Sequence, residues 1–218
     1  MILPSPAPGG PGATLDGGDK WVEVLRRQQG PEVVVFANML TAAECDALIL
    51  AAEPRLSRSL TVDTNTGDEA LHPDRTSQGM FFERFETELV LRIEARIAKL
   101  LRWPVKHGEG LQVLRYLKGG QYAPHYDYFD ARDAATPLLL ARGGQRVATL
   151  IIYLKEPEAG GATIFPDLNL QITPKRGQAV FFSYPDAQPS SLSLHGGAPV
   201  VAGEKWIATK WLRQHEFS

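Results

Sequence analysis

Residues 111–129 read LQVLRYLKGGQYAPHYDYF, and from Leu111 onward the chain changes from helical spacing to short strands separated by turns. Leu111–Tyr116 is the first of these strands. In the Tyr-Ala-Pro-His-Tyr-Asp run after it, His125 and Asp127 stand two residues apart. On a strand, alternate side chains share a face, so this spacing predicts that both can reach one ion. Further strands are expected at Arg146–Leu154, Gly161–Phe165, Leu170–Ile172, Gln178–Ser183 and Glu204–Leu212, with Pro174–Gly177 as a turn.

Upstream the period is different. Glu32–Phe36 is a short strand. Thr41 and Glu44 have the spacing of a capping box, and Cys45, Leu48, Ile49 and Ala52 then recur at helical intervals until Pro54 closes the helix. A second helix is expected from about Glu86 to Arg102, burying Leu89, Ile93, Ile97, Leu100 and Leu101 and stopped by Pro104. Helices first and strands afterwards, without βαβ alternation, predict an α+β fold with an antiparallel sandwich or barrel. Asp130–Gly144 is a long connection of the kind that closes over sites, and it is the expected lid.

The 218 residues suit one domain, read as 21–218, preceded by a flexible Pro/Gly-rich tail at 1–20. One cysteine, Cys45, excludes an internal disulfide and predicts a reducing, cytoplasmic setting. A net charge of -2 argues against nucleic acid, and no apolar run approaches membrane-spanning length.

His195 lies seventy residues beyond His125, at the end of another strand segment. Two histidines and a carboxylate are the facial triad of non-haem Fe(II) oxygenases, which leaves three octahedral positions open. Unrelated histidines, a zinc site or a non-catalytic cupin-like metal module are the alternatives that the trio alone leaves standing. Ten residues past His195 comes Lys205, and alternation puts Lys205, Ile207, Thr209 and Trp211 on one face. A lysine facing a barrel interior is costly unless it meets an anion, and the far carboxylate of a chelated 2-oxoglutarate would serve. The competing reading is a surface lysine beside a partly exposed Trp206.

These segments, with GGQRVATLIIYL, GGATIFP, PKRGQAVFF and LHGGAPVVAGEKWIATKW, resemble the prolyl 4-hydroxylase family of Fe(II)/2-oxoglutarate-dependent dioxygenases, from about Glu32 to Arg213. The resemblance is nearest to the compact bacterial type. It implies a double-stranded β-helix (jelly-roll) core with supporting N-terminal helices. It also implies His125, Asp127 and His195 as iron ligands, with no catalytic residue beyond them. Lys205, Tyr116 and Tyr153 would bind 2-oxoglutarate, Thr209 would line the same pocket, and Arg146 and Trp211 would contact substrate; core packing for the tyrosines, a structural salt bridge for Arg146 and barrel packing for Trp211 are the alternatives. Thr149, Ile151 and Tyr153 share a strand face by alternation alone. Expected partners are dioxygen, ascorbate and a proline-containing peptide or protein, hydroxylated with release of succinate and CO2. A free amino acid or other small metabolite is the alternative substrate.

Overall fold

The computed structural model describes residues 3–59 and 76–218, together with the backbone of the two-residue strands Thr61–Val62 and Glu69–Ala70. Among the described residues, nine strands form the major sheet. Their order is Thr14–Asp16, Trp21–Gln28, Val33–Ala37, Ala179–Ser183, Arg146–Lys155, Lys205–Arg213, Leu111–Tyr116, Gln78–Phe82 and Ser57–Arg58. A four-stranded sheet, in the order Leu170–Ile172, Thr163–Phe165, His195–Gly197 and Tyr122–His125, faces it. Neighbouring strands in both sheets pair antiparallel, which gives the jelly-roll expected for this sequence.

Strand alternation decides what lies on each side of the major sheet. In Arg146–Lys155, Ala148, Leu150, Ile152 and Leu154 pack with the helices, whereas Ile151 and Tyr153 turn toward the minor sheet. Ala179 and Phe181 likewise face the helices, and Val180 and Phe182 the interior. Lys205–Arg213 has every residue buried because both of its faces are covered. Each fully buried Leu, Ile or Phe contributes about 1.5–3 kcal/mol, so the two apolar layers pin the strand register.

The helices cover one face. Thr41 and Glu44 form the capping box of Ala42–Ala52, and Cys45 and Leu48 are buried beneath it. Glu88–Leu101 starts at the N-cap Thr87 and ends at Arg102, whose left-handed backbone (φ 52) breaks the helix before Pro104. Its buried stripe contains Val90 in place of the expected Leu89, which is only partly buried. On the same stripe, Arg96 donates to Glu44 and Asp19, tying both helices to the N-terminal strands.

Three expectations need correction. The flexible tail expected at 1–20 is, over its described part, packed on the body. Thr14–Asp16 pairs with Trp21–Gln28, Pro4 and Pro6 are buried, and Arg27 and Arg102 donate to carbonyls of residues 5–9. Backbone carbonyls supply the contacts there, so composition did not reveal them. The Asp130–Gly144 connection contains a helix, Thr136–Ala141, and Thr136 Oγ1 donates to the Asp130 carbonyl. The competing reading, a surface lysine beside a partly exposed Trp206, is overturned: Trp206 is 1% exposed among the helix-side residues, and Lys205 is buried as well. Among the described residues, no helix is long and apolar enough to cross a membrane.

Candidate metal centre and substrate cavity

His125 and His195 are directly opposed partners across the Tyr122–His125 and His195–Gly197 pair. The strand stops at His125, so Asp127 reaches the site from the bend that follows, not from the same strand face as the i, i+2 spacing predicts. The three residues nevertheless converge. His125 Nε2 lies 3.6 Å from Asp127 Oδ1, His195 Nε2 lies 3.5 Å from Oδ2, and one ligand atom from each falls within 4.8 Å of the others.

The donor chemistry suits a divalent metal. The Nδ1 of His125 faces the Ala123 carbonyl at 2.8 Å, and the Nδ1 of His195 faces the Ser193 carbonyl at 3.0 Å. A carbonyl can only accept, so each Nδ1 carries the proton and each Nε2 keeps its lone pair for a metal. Burial depresses the His195 pKa to about 4, which keeps the ring neutral at physiological pH. Burial pushes the Asp127 carboxyl up, and the permanently charged Arg146 nearby pulls it down. Thr149 Oγ1 donates to Asp127 Oδ2 at 2.6 Å and stands 3.0 Å from the Tyr184 hydroxyl.

Beside the triad is an inner pocket lined by Tyr116, Thr163, Lys205, Ile207 and Thr209, among others. Lys205 faces inward, as alternation predicts, and is 3% exposed. Its Nζ donates to the Gly161 carbonyl at 2.7 Å and sits 5.5 and 5.9 Å from the ring centres of Tyr116 and Tyr153. Gly161 permits this approach: its φ is +70, and a Cβ there would lie 3.2 Å from Lys205 Cδ. Burial lowers the lysine pKa to about 8. Tyr153 donates its hydroxyl to Thr163 Oγ1 at 2.8 Å.

A larger cavity of about 760 Å³ opens next to the inner pocket and shares His125, Asp127 and Trp211 with it. Tyr126, Tyr128 and Phe129 line it, as do Asp133, Thr136 and Leu139 of the Asp130–Gly144 segment. That segment is a wall of the cavity, held by the Arg213 guanidinium on the Leu139 carbonyl. Arg146 also lines the cavity, but its Nε and Nη2 are both committed to Glu109 at 2.6 and 2.9 Å. Its guanidinium lies 4.1 Å from the Trp211 ring centre and so occupies one face of the indole.

Three residues here were missed from sequence. Glu109 anchors Arg146 and approaches Arg213 at 3.4 Å. It stands between two glycines, far in sequence from both arginines, and nothing local marks it. Arg213 continues the inward alternation of Lys205 through Trp211 and could have been read that way. Tyr184 continues Val180 and Phe182 one step past its strand, so the same period would have found it.

The fold and the convergent His-Asp-His site fit the 2-oxo-acid-dependent iron oxygenases, and residues 111–213 match the family model of the 2OG-Fe(II) oxygenase superfamily. Prolyl 4-hydroxylase 5 of Arabidopsis thaliana is 41% identical, over 92% of this chain and 74% of its own. Prolyl 4-hydroxylase 1 of the same plant is 40% identical, over 84% and 69%. Among solved structures, the viral collagen prolyl hydroxylase of Paramecium Bursaria Chlorella virus-1, in its 2OG complex, is 34% identical. It superposes with a TM-score of 0.63 over 83% of this chain and 95% of its own. The chain belongs to the prolyl 4-hydroxylase family of 2OG-Fe(II) oxygenases.

Proposed function

We propose that this enzyme hydroxylates prolyl residues within a peptide or protein, with His125, Asp127 and His195 as the ligands of one Fe(II). Bound iron supplies the oxidative chemistry, coupling oxygen insertion into a C–H bond to conversion of 2-oxoglutarate into succinate and CO2. The chain does the rest. The two neutral Nε2 atoms and the Asp127 carboxylate give a three-sided donor set that leaves room for the cosubstrate. Lys205 carries the buried positive charge that receives the distal carboxylate of 2-oxoglutarate, with Tyr116 and Tyr153 beside it. Thr209 lines that pocket, and the aliphatic and aromatic walls exclude water.

The observation that carries the peptide substrate is the cavity itself. A space of about 760 Å³ next to the triad, walled by Tyr126, Tyr128, Phe129 and Trp211, exceeds what a single free amino acid fills. Aromatic walls suit the rings of a polyproline-II segment, whose carbonyls are all available for hydrogen bonds. In this reading Trp211 offers the substrate its edge and remaining face. Arg146 acts on the substrate chiefly by bracing that indole. The names of the relatives support the same substrate class. Ascorbate as reductant of the iron, and a cytoplasmic location consistent with a single cysteine, belong to the same proposal.

The test is succinate release with Fe(II) and 2-oxoglutarate against proline peptides and free amino acids, with product mass and the Trp211→Ala variant as controls. The expected result is a gain of one oxygen on peptidyl proline, lost in the variant. Turnover of free amino acids only, indifferent to Trp211→Ala, would overturn the peptide reading.

A further inference from the structure

Asp127 is held by a chain of two buried hydroxyls that the metal and cosubstrate assignments do not use. Thr149 is 0% exposed and Tyr184 1%, and their oxygens are 3.0 Å apart. The proton direction follows from chemistry. The Asp127 carboxylate can only accept, so at 2.6 Å Thr149 must spend its one O–H proton on Oδ2. Thr149 Oγ1 is then an acceptor toward Tyr184, whose hydroxyl must donate. The order is Tyr184 to Thr149 to Asp127, each link polarising the next.

This makes the two carboxylate oxygens inequivalent. Each oxygen lies near one histidine Nε2, Oδ1 at 3.6 Å from His125 and Oδ2 at 3.5 Å from His195, but among the described residues only Oδ2 accepts a hydroxyl proton, from Thr149. We propose that Tyr184, acting through Thr149, is a positioning residue that fixes the Asp127 carboxylate so that it offers a metal a single oxygen, Oδ1. The inference rests on the triad reading above. Both hydroxyls stand on the scaffold of the major sheet. Thr149 lies within Arg146–Lys155, and Tyr184 follows Ala179–Ser183 and donates its backbone N–H to the Val147 carbonyl at 3.0 Å. The sheet thus sets the rotation of a side chain that itself lies on a bend.

The test uses the metal-free full-length protein titrated with Co(II), reading affinity by calorimetry and ligand geometry by the visible absorption of the bound ion. Thr149→Val is expected to weaken binding by about 10–100-fold, the usual effect of removing an outer hydrogen-bond partner of a ligand. Tyr184→Phe removes one further link and is expected to weaken it by about two- to tenfold. Both should alter the cobalt spectrum, and Thr149→Ser, which keeps the hydroxyl, should restore affinity and spectrum together. Because Tyr184 acts through Thr149, adding Tyr184→Phe to Thr149→Val should cost nothing more. Additive losses, or an unchanged spectrum and affinity in Tyr184→Phe and Thr149→Val, would overturn the relay while leaving the triad standing. Failure of the wild-type protein to bind Co(II) at all would instead overturn the triad, and the relay with it. Should Thr149→Val not fold, Tyr184→Phe and Thr149→Ser decide the matter.

Discussion

Replacing Lys205 by methionine is expected to stabilise the metal-free protein and to weaken its binding of 2-oxoglutarate. Burial holds the lysine pKa at about 8 against an ordinary 10.5. At about 1.4 kcal/mol per pH unit, that gap costs the fold about 3 kcal/mol when the side chain is charged in both folded and unfolded states. A neutral amine keeps the hydrogen bond to the Gly161 carbonyl, and methionine loses it, at a cost of about 1 kcal/mol. The net gain at pH 7 is therefore about 2 kcal/mol. Below about pH 8 the whole cost is present. Between about 8 and 10.5 the unfolded chain binds more protons than the folded one, so the wild type gains stability as pH rises. The advantage of the variant should accordingly vanish by about pH 10. Urea denaturation of both proteins at pH 7 and pH 10 measures this. Calorimetric titration with 2-oxoglutarate, a divalent metal being present, should show affinity reduced by roughly two to three and a half orders of magnitude. A variant less stable than wild type by the same margin at both pH values would refute the buried-cation argument. Undiminished 2-oxoglutarate binding would refute the anchor.

Two other expectations follow from the same geometry. Asp127→Ala should leave the circular dichroism of the fold intact and remove Fe(II) binding from the calorimeter trace; retained affinity would exclude the triad. Glu109→Gln takes the carboxylate from Arg146 and Arg213 and leaves both guanidinium groups facing each other in a buried cluster. A loss of about 3–5 kcal/mol in denaturant stability is expected, and no loss would mean that solvent already screens the pair.

What could be read in the sequence was what repeats. The inward row Lys205, Ile207, Thr209 and Trp211 obeys the two-residue period of a strand, and both walls of that row are now visible in the packing. The capping box of Thr41 and Glu44 likewise needs only local chemistry. The illegible parts are those made by non-local or backbone contacts. Glu109 meets Arg146 across 37 residues. The first strand has only three residues, and the chain before it is held by its backbone carbonyls. The Thr136–Ala141 helix is six residues long and has no side-chain cap, so neither period nor cap announces it. Asp127 does converge with the two histidines, but not by the route that its spacing predicts. The i, i+2 spacing was informative, but a bend brings the carboxylate to the histidines.

The strand Lys205–Arg213 also has an evolutionary consequence. Six residues at about 3.3 Å each separate Lys205 from Trp211 by roughly 20 Å. One end of this ruler belongs to the inner pocket beside Tyr116, and the other reaches the wide cavity with Arg146 and Phe129. On the roles proposed above, substitutions at the Trp211 and Arg213 end would alter the substrate cavity while leaving the Lys205 end, and with it the cosubstrate pocket, untouched. A change of substrate without a change of chemistry would then need only one end of a single stretch of backbone.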